Sequence, residues 1–236
     1  MIDDERIIRH ISDRDAMYAG HEPHYFGVGK SALAAIEAAR TLSGQPAPGR
    51  ILDLPCGHGR VTRVLRAAWP EAEITACDID QHGVDFCRDT FGCVPVHGRP
   101  DFEAVTFPHP FDLIWVGSLL THLPEARSRA FLAYAAGLLG EGGTLVVTLH
   151  GRFVAGRLRG GTYGIPDEAV GGMLQAFEGQ GYGYADYPGH EGYGISITRP
   201  GWVVDRAAEL GLSITLLSER CWDRHHDVAA VRRSEP

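Results

Sequence analysis

Asp53 closes a short apolar run, Ile51-Leu52-Asp53-Leu54, and is followed by Pro55-Cys56-Gly57-His58-Gly59-Arg60, after which the pattern turns helical. That order is a strand, a tight turn and a helix start. Glycine at 57 and 59 lets backbone approach a ligand closely, and the N–H groups opening the helix add a polar rim. Asp78 follows 19 positions after Gly59, at the end of a second apolar run. A carboxylate at that spacing reaches the two hydroxyls of a ribose, because its two oxygens can accept from both at once. Three histidines, His58, His122 and His150, are candidate proton acceptors, since an unperturbed imidazole titrates near working pH. A cluster of tyrosines between 163 and 193 offers aromatic faces to an organic substrate.

The ligand at the glycine turn is constrained by what the turn lacks. A dinucleotide fingerprint needs Gly-x-Gly-x-x-Gly, and Thr62 stands where the last glycine belongs. Asp53 would also repel a pyrophosphate and favours a ligand with positive charge. S-adenosylmethionine, with an ammonium and a sulfonium, fits better than a nicotinamide dinucleotide. The stretch resembles motif I of the class I S-adenosylmethionine-dependent methyltransferases: Asp53 matches the acid, Pro55 replaces the first glycine, and Gly57 and Gly59 match the second and third. The segment Gly117-Ser118-Leu119-Leu120-Thr121-His122-Leu123-Pro124 resembles the motif that follows the fourth strand of that family.

That resemblance implies S-adenosyl-L-methionine as cofactor. It places Asp53, Pro55, Cys56, Gly57 and Gly59 around the methionine end and Asp78 and Ile79 at the ribose. Asp101 and Phe102 fall beside the adenine, and Gly117 and Ser118 at the end of the fourth strand. Tyr25, from an N-terminal stretch of aromatics and histidines, is assigned to the same pocket. Among the histidines, His58 is expected to pack inside the turn, and the catalytic candidates are His150, ending the fifth strand beside the tyrosines and expected to be the base, and His122, at a helix start. Tyr163, Tyr182, Tyr184, Tyr187, His190 and Tyr193 are the expected substrate contacts.

The elements that must position these residues follow a βα rhythm. Residues 1–45 are read as a helical cap, its helix starting at Ser31, and Gly27-Val28-Gly29-Lys30-Ser31 fails the phosphate-loop spacing because His24 stands where the first glycine is needed. Helices are expected over 61–69, 83–91 (capped by Asp80) and 124–139, and strands over 73–77, 93–97, 111–116 and 144–149, with a turn at 140–143. Residues 153–192 lose periodicity and alternate glycine with tyrosine, which reads as an irregular substrate lid. Residues 195–198 are read as a strand, 200–210 as a helix, and 212–217 with 227–231 as a closing antiparallel hairpin. The expected architecture is a doubly wound, Rossmann-like α/β fold in one domain. Its sheet has seven mostly parallel strands and an antiparallel last strand.

Composition bounds the rest. The chain has 236 residues, 44% hydrophobic and 22% charged, with a formal net charge of −8. This is the make-up of a folded globular protein and disfavours a broad nucleic-acid surface. Five scattered cysteines without a Cys-x-x-Cys pair point to reduced thiols and a cytoplasmic setting. His225-His226-Asp227 is read as structural, because neighbours in a strand face opposite ways, and no metal is expected. The function expected is methylation of a small molecule at oxygen, a sugar or secondary metabolite, without nucleic-acid or membrane partners and with a homodimer as the assembly to test. The alternatives are methylation at nitrogen, a nicotinamide-dependent oxidoreductase, and a non-catalytic S-adenosylmethionine-binding protein.

Overall fold

The computed structural model describes residues 4–160 and 163–233. Seven strands form one sheet in the order β3-β2-β1-β4-β5-β9-β8. They are β1 (Arg50–Asp53), β2 (Glu73–Asp78), β3 (Val94–His97), β4 (Phe111–Val116), β5 (Leu139–Leu149), β8 (Leu212–Trp222) and β9 (His226–Arg233). β1 to β5 pair in parallel, and β9 runs antiparallel to both β5 and β8. The strand order reverses between β1 and β4, so their carboxyl ends open the crevice in which such sheets bind ligands.

Both faces of the sheet are covered, which is why β4 and β5 read as nearly continuous apolar runs. One face packs α1 (Glu22–Leu42), α2 (Thr62–Ala68) and α3 (Gln81–Phe91) around Ile51, Ile74, Leu113 and Trp115. The other packs α4 (Glu125–Gly137) and α7 (Pro200–Glu209) around Leu52, Ile114, Leu145 and Ala229. Asp80 caps α3 as expected, accepting from the His82 N–H at 3.1 Å.

Three elements differ from their sequence reading. Helix α1 begins at Glu22, nine residues before Ser31, with the His21 side chain accepting from the His24 N–H. Gly29 lies inside it because α2 presses close: a Cβ there would stand 2.5 Å from the Arg60 carbonyl oxygen. The expected turn at 140–143 is part of β5, accommodated by a register shift against β4 between Phe111 and Leu113. The expected irregular lid is folded: α5 (Arg152–Ala155), α6 (Asp167–Gln180), β6 (Tyr182–Asp186) and β7 (Gly194–Thr198) enclose their own apolar core around Val170, Met173, Phe177 and Ile197. The glycine–tyrosine alternation is the period of strand β6, which pairs with β7 in a separate two-stranded sheet. Gly183 faces α6, where a Cβ would meet the Met173 carbonyl oxygen at 2.2 Å. Part of the stretch without helical periodicity is therefore a strand with Gly183 and Ala185 on one face.

Candidate active site

The carboxyl ends of β1, β2 and β4 border a cavity of about 470 Å³, closed on the far side by the loop between β6 and β7. Its chemistry begins at Asp78, the last residue of β2. The Gly57 N–H donates to Asp78 Oδ2 and the Asp80 N–H to Oδ1, at 2.8 and 2.9 Å. Each oxygen keeps a further lone pair for a ligand. Burial raises the pKa of Asp78, while the Asp80 and Gly57 backbone donors pull it back. Gly57 (φ +49°) and Gly59 (φ +80°) hold the turn that brings the donor to Asp78. A Cβ at Gly59 would strike the Phe91 ring at 2.3 Å, and one at Gly83 would strike the Gly57 carbonyl oxygen at 2.4 Å. The turn is thus clamped by α3.

Asp53 lies beneath that turn and does not line the cavity. The Thr62 hydroxyl donates to its Oδ2 at 2.6 Å, so the residue that breaks the dinucleotide pattern is the one that fixes the acid. Oδ1 is buried without a partner. Burial pushes the Asp53 carboxyl up to about 7, with the Thr62 hydrogen bond opposing and the Asp78 charge adding to the rise. A cationic group above the turn would relieve both.

Pro55, Ile79, Phe102 and Ser118 line the cavity. Gly57 and Gly59 act from behind through the turn, and Gly117 packs on Trp115, where a Cβ would stand 2.7 Å from the indole nitrogen. Three assignments fail. Tyr25 is buried in the core, donating to Asp15 Oδ2 at 2.5 Å and accepting from Arg63, because α1 starts early enough to turn it inward. Cys56 is buried behind the turn among other thiols. Asp101 is exposed and caps no N–H, since the chain tucks Phe102 rather than its neighbour toward α4. The wall that the sequence did not indicate is α4: Phe131 and Tyr134 pack on Phe102 with ring centroids 5.2 and 5.4 Å away. Their helical spacing looked like ordinary core.

Around the histidines the outcome is mixed. His58 packs in the turn beside Asp80, as expected. His122 lines the cavity and stacks on Tyr193, centroids 5.2 Å apart. Its Nδ1 lies 2.9 Å from the Gly194 carbonyl oxygen, which can only accept, so the proton sits on Nδ1 and Nε2 keeps the lone pair. Burial lowers its pKa, so the ring is neutral at pH 7. His150 is not on the cavity wall: it is 4% exposed and enclosed by His122, Tyr163, His225 and His226. Burial, with His225 and His122 adding, pushes it down to about 3, which makes it a poor proton acceptor. Gly151 beside it makes room for Asp227, whose Oδ2 would lie 1.8 Å from a Cβ there.

Of the expected substrate contacts, Tyr193 lines the cavity and the Tyr187 hydroxyl lies 3.2 Å from His122 Nδ1. Tyr182 is a buried strut, donating to the Leu123 carbonyl, and Tyr184 donates to Asp186 on its own hairpin. Both sit on β6, whose side chains brace the lid against α4. His190 is exposed on the turn beyond β6. Tyr163 stacks on His225 at 5.9 Å, away from the cavity wall.

Residues 51–143 match the family model described as a methyltransferase domain. This stretch, less than half of the chain, is similar to a methyltransferase domain. The match covers the cavity-forming strands β1 to β4 and leaves the lid and the closing hairpin outside it. Over 111 residues, 45% of this chain, the sequence is 36% identical to trans-aconitate 2-methyltransferase of Streptomyces avermitilis, and the alignment spans 40% of that relative. A malonyl-[acyl-carrier protein] O-methyltransferase of Acetivibrio thermocellus is 46% identical over 65 residues, 27% of this chain and 23% of the relative. Among solved structures, an S-adenosylmethionine-dependent methyltransferase from Clostridium acetobutylicum superposes with a TM-score of 0.62 at 14% identity, over 87% of this chain and 92% of that one. The fold is therefore shared along nearly the whole chain, while the family model matches residues 51–143. No described helix is long and apolar enough to cross a membrane.

Proposed function

We propose that this chain is an S-adenosyl-L-methionine-dependent methyltransferase acting on a small molecule, at an oxygen of a sugar or secondary metabolite. The observation that carries the reading is Asp78, held by two backbone N–H groups at the cavity edge with acceptor capacity to spare. The cofactor fits the remaining residues. Asp78 would take the ribose hydroxyls, the aromatic shelf of Phe102, Phe131 and Tyr134 the adenine, and the buried orphan oxygen of Asp53 offers negative potential beneath the methionine end. The bound cofactor supplies an electrophilic methyl group on a sulfonium.

The chain's own part is to orient an acceptor, exclude water and take a proton. Ser118, His122 and Tyr193 form the wall on the acceptor side of the cavity. With Nδ1 committed to Gly194, the neutral His122 ring has Nε2 as its basic nitrogen. His122 replaces His150 as the base, because it reaches the cavity wall whereas His150 is enclosed by rings and pushed down to about 3 by burial. The name of the malonyl-[acyl-carrier protein] relative favours oxygen over nitrogen as the nucleophile. Thr62 and Asp53 argue against a dinucleotide. The test is methyl transfer from labelled S-adenosylmethionine to a panel of sugars, carboxylic acids, phenols and amines. Transfer to amines alone would move the reaction to nitrogen, and binding without transfer to any acceptor would leave a non-catalytic binding protein.

A further inference from the structure

Beyond the cofactor cavity, on the acceptor side, His150 from the end of β5 meets two histidines from the β8–β9 turn. The expectation that His225 and His226 face opposite ways fails because His225 is not in a strand. The chain turns through Asp223 and Arg224, both with positive φ, and β9 starts at His226, so the two rings are swung to one side. His226 stacks on His150 with centroids 4.9 Å apart, and His225 stands edge-on to it at 5.5 Å. The three offer ring nitrogens that all lie within 4.8 Å of one another.

Three imidazoles gathered without a carboxylate among them need a reason. Crowding neutral rings in a buried place strands their lone pairs: His226 Nδ1 is buried with no hydrogen-bond partner. His150 Nδ1 lies 3.3 Å from the Ser196 carbonyl oxygen, which places its proton there and leaves Nε2 free. A ligating histidine is commonly fixed in this way, by a backbone carbonyl on its other nitrogen. All three pKa values are lowered, chiefly by burial, so each ring is in its unprotonated, ligating form at neutral pH. The turn is braced: Asp227 Oδ1 accepts from the Arg220 N–H at 2.9 Å across the β8 bulge, and its Oδ2 occupies the space left by Gly151. Asp223 on the same turn supplies negative charge at His225 against Arg157 and Arg220.

We propose that His150, His225 and His226 form a binding site for one divalent first-row transition ion, zinc being the probe. Imidazole nitrogen suits zinc, nickel, copper and iron, and excludes the oxygen-seeking magnesium and calcium. Nitrogens sharing a tetrahedral zinc stand roughly 3.3 Å apart, so ring movements of under about 1 Å each complete the set. Three protein ligands leave a coordination position open. His122, on the cavity wall, has its ring centroid 6.4 Å from that of His150, so the ion would stand next to the acceptor's space and bind an acceptor hydroxylate or carboxylate. That last step rests on the methyl-transfer reading; the ion's binding does not.

The test is titration of zinc chloride into metal-free, tag-free protein by calorimetry, followed by cobalt(II) absorption. The expected result is one ion per chain, with visible cobalt bands of a low-coordinate nitrogen site. His225→Ala, the least enclosed of the three, should weaken zinc at least about tenfold with circular dichroism unchanged, and His226→Ala should do the same if it folds. Wild-type protein that takes no zinc at micromolar concentration, or His225→Ala that binds as tightly as wild type, overturns the site. Zinc binding as stated without methylation of any acceptor keeps the site and sinks the methyl-transfer reading. Full methylation in protein freed of metal does the reverse to the ion's role at the acceptor.

Discussion

The crevice has two halves built on different physics. The nucleotide half, at the ends of β1 and β2, is fixed around a backbone turn: the Gly57 N–H donates to Asp78, α3 presses on the turn at Gly59 and Gly83, and the Thr62 hydroxyl holds the Asp53 carboxyl beneath it. The acceptor half, at the ends of β4, β5 and β9, is built from side-chain rings: His122 on Tyr193, His150 on His226, Tyr163 on His225. Backbone contacts demand particular residues at short sequence spacing, whereas ring packing is assembled from segments far apart in the chain and tolerates many sequences. The first kind of site is therefore shared widely, and the family match from 51 to 143 ends before most of the second begins.

The largest effect expected is on the acceptor side. His122→Ala should lower kcat at least about 10²-fold, the low end of general-base catalysis, while S-adenosylhomocysteine affinity changes little. Steady-state kinetics with calorimetry separates the two, and loss of cofactor affinity instead would place His122 in the nucleotide half. On the other side, Asp78→Ala should weaken S-adenosylhomocysteine by about ten- to a hundredfold, the loss of about 1.5–3 kcal/mol from hydrogen bonds to a charged group. Unchanged affinity would reduce Asp78 to a brace for the Gly57 turn.

A subtler difference lies in Asp53. Its folded pKa is about 7, whereas an unfolded aspartate titrates near ~3.9. Between those values the folded chain keeps a proton that the unfolded chain has lost. This group therefore favours folding below about pH 4, and that contribution is lost as pH rises to about 7. Asp53→Asn cannot ionise, so the wild-type melting temperature should fall relative to the variant's between about pH 4 and 7. Asp78, Cys56 and Cys93, the neighbouring titrating groups, are common to both proteins, as is Asp227, pushed up to about 6. Parallel curves would mean that Asp53 is ionised throughout. The smallest effect is expected at Tyr187→Phe. It removes a hydroxyl 3.2 Å from His122 Nδ1 but leaves Gly194 in place, so kcat should drop less than about threefold, roughly 0.5 kcal/mol.

Legibility in the sequence followed the same division. The succession of strands and helices in the sheet, Asp78 at the end of β2, the Asp80 cap and the closing hairpin could be read, because apolar period, glycine spacing and capping chemistry are local signals. The lid was misread because Gly183 and Ala185, the small residues on one face of β6, mask a strand's apolar alternation. Tyr25 was misplaced because two glycines hid the first turns of α1, and His150 because a position in sequence at a strand end does not reveal which rings will enclose it. The histidine cluster could not be read at all: His150 and His226 are 76 positions apart, and only the non-glycine left-handed turn at 223–224 brings His225 round to join them.

The central claim is that the turn at Gly57 and Gly59, with Asp78, holds a nucleoside sulfonium and not a dinucleotide. Thermal unfolding of the protein with S-adenosylhomocysteine, S-adenosylmethionine, NAD and NADP tests it most directly. At 100 times Kd a ligand adds about 2.7 kcal/mol, a shift of about 5–11 °C for a chain of this size. The account predicts that shift with the two sulfur nucleosides and none with NAD or NADP; a larger shift with NAD than with S-adenosylhomocysteine would contradict it.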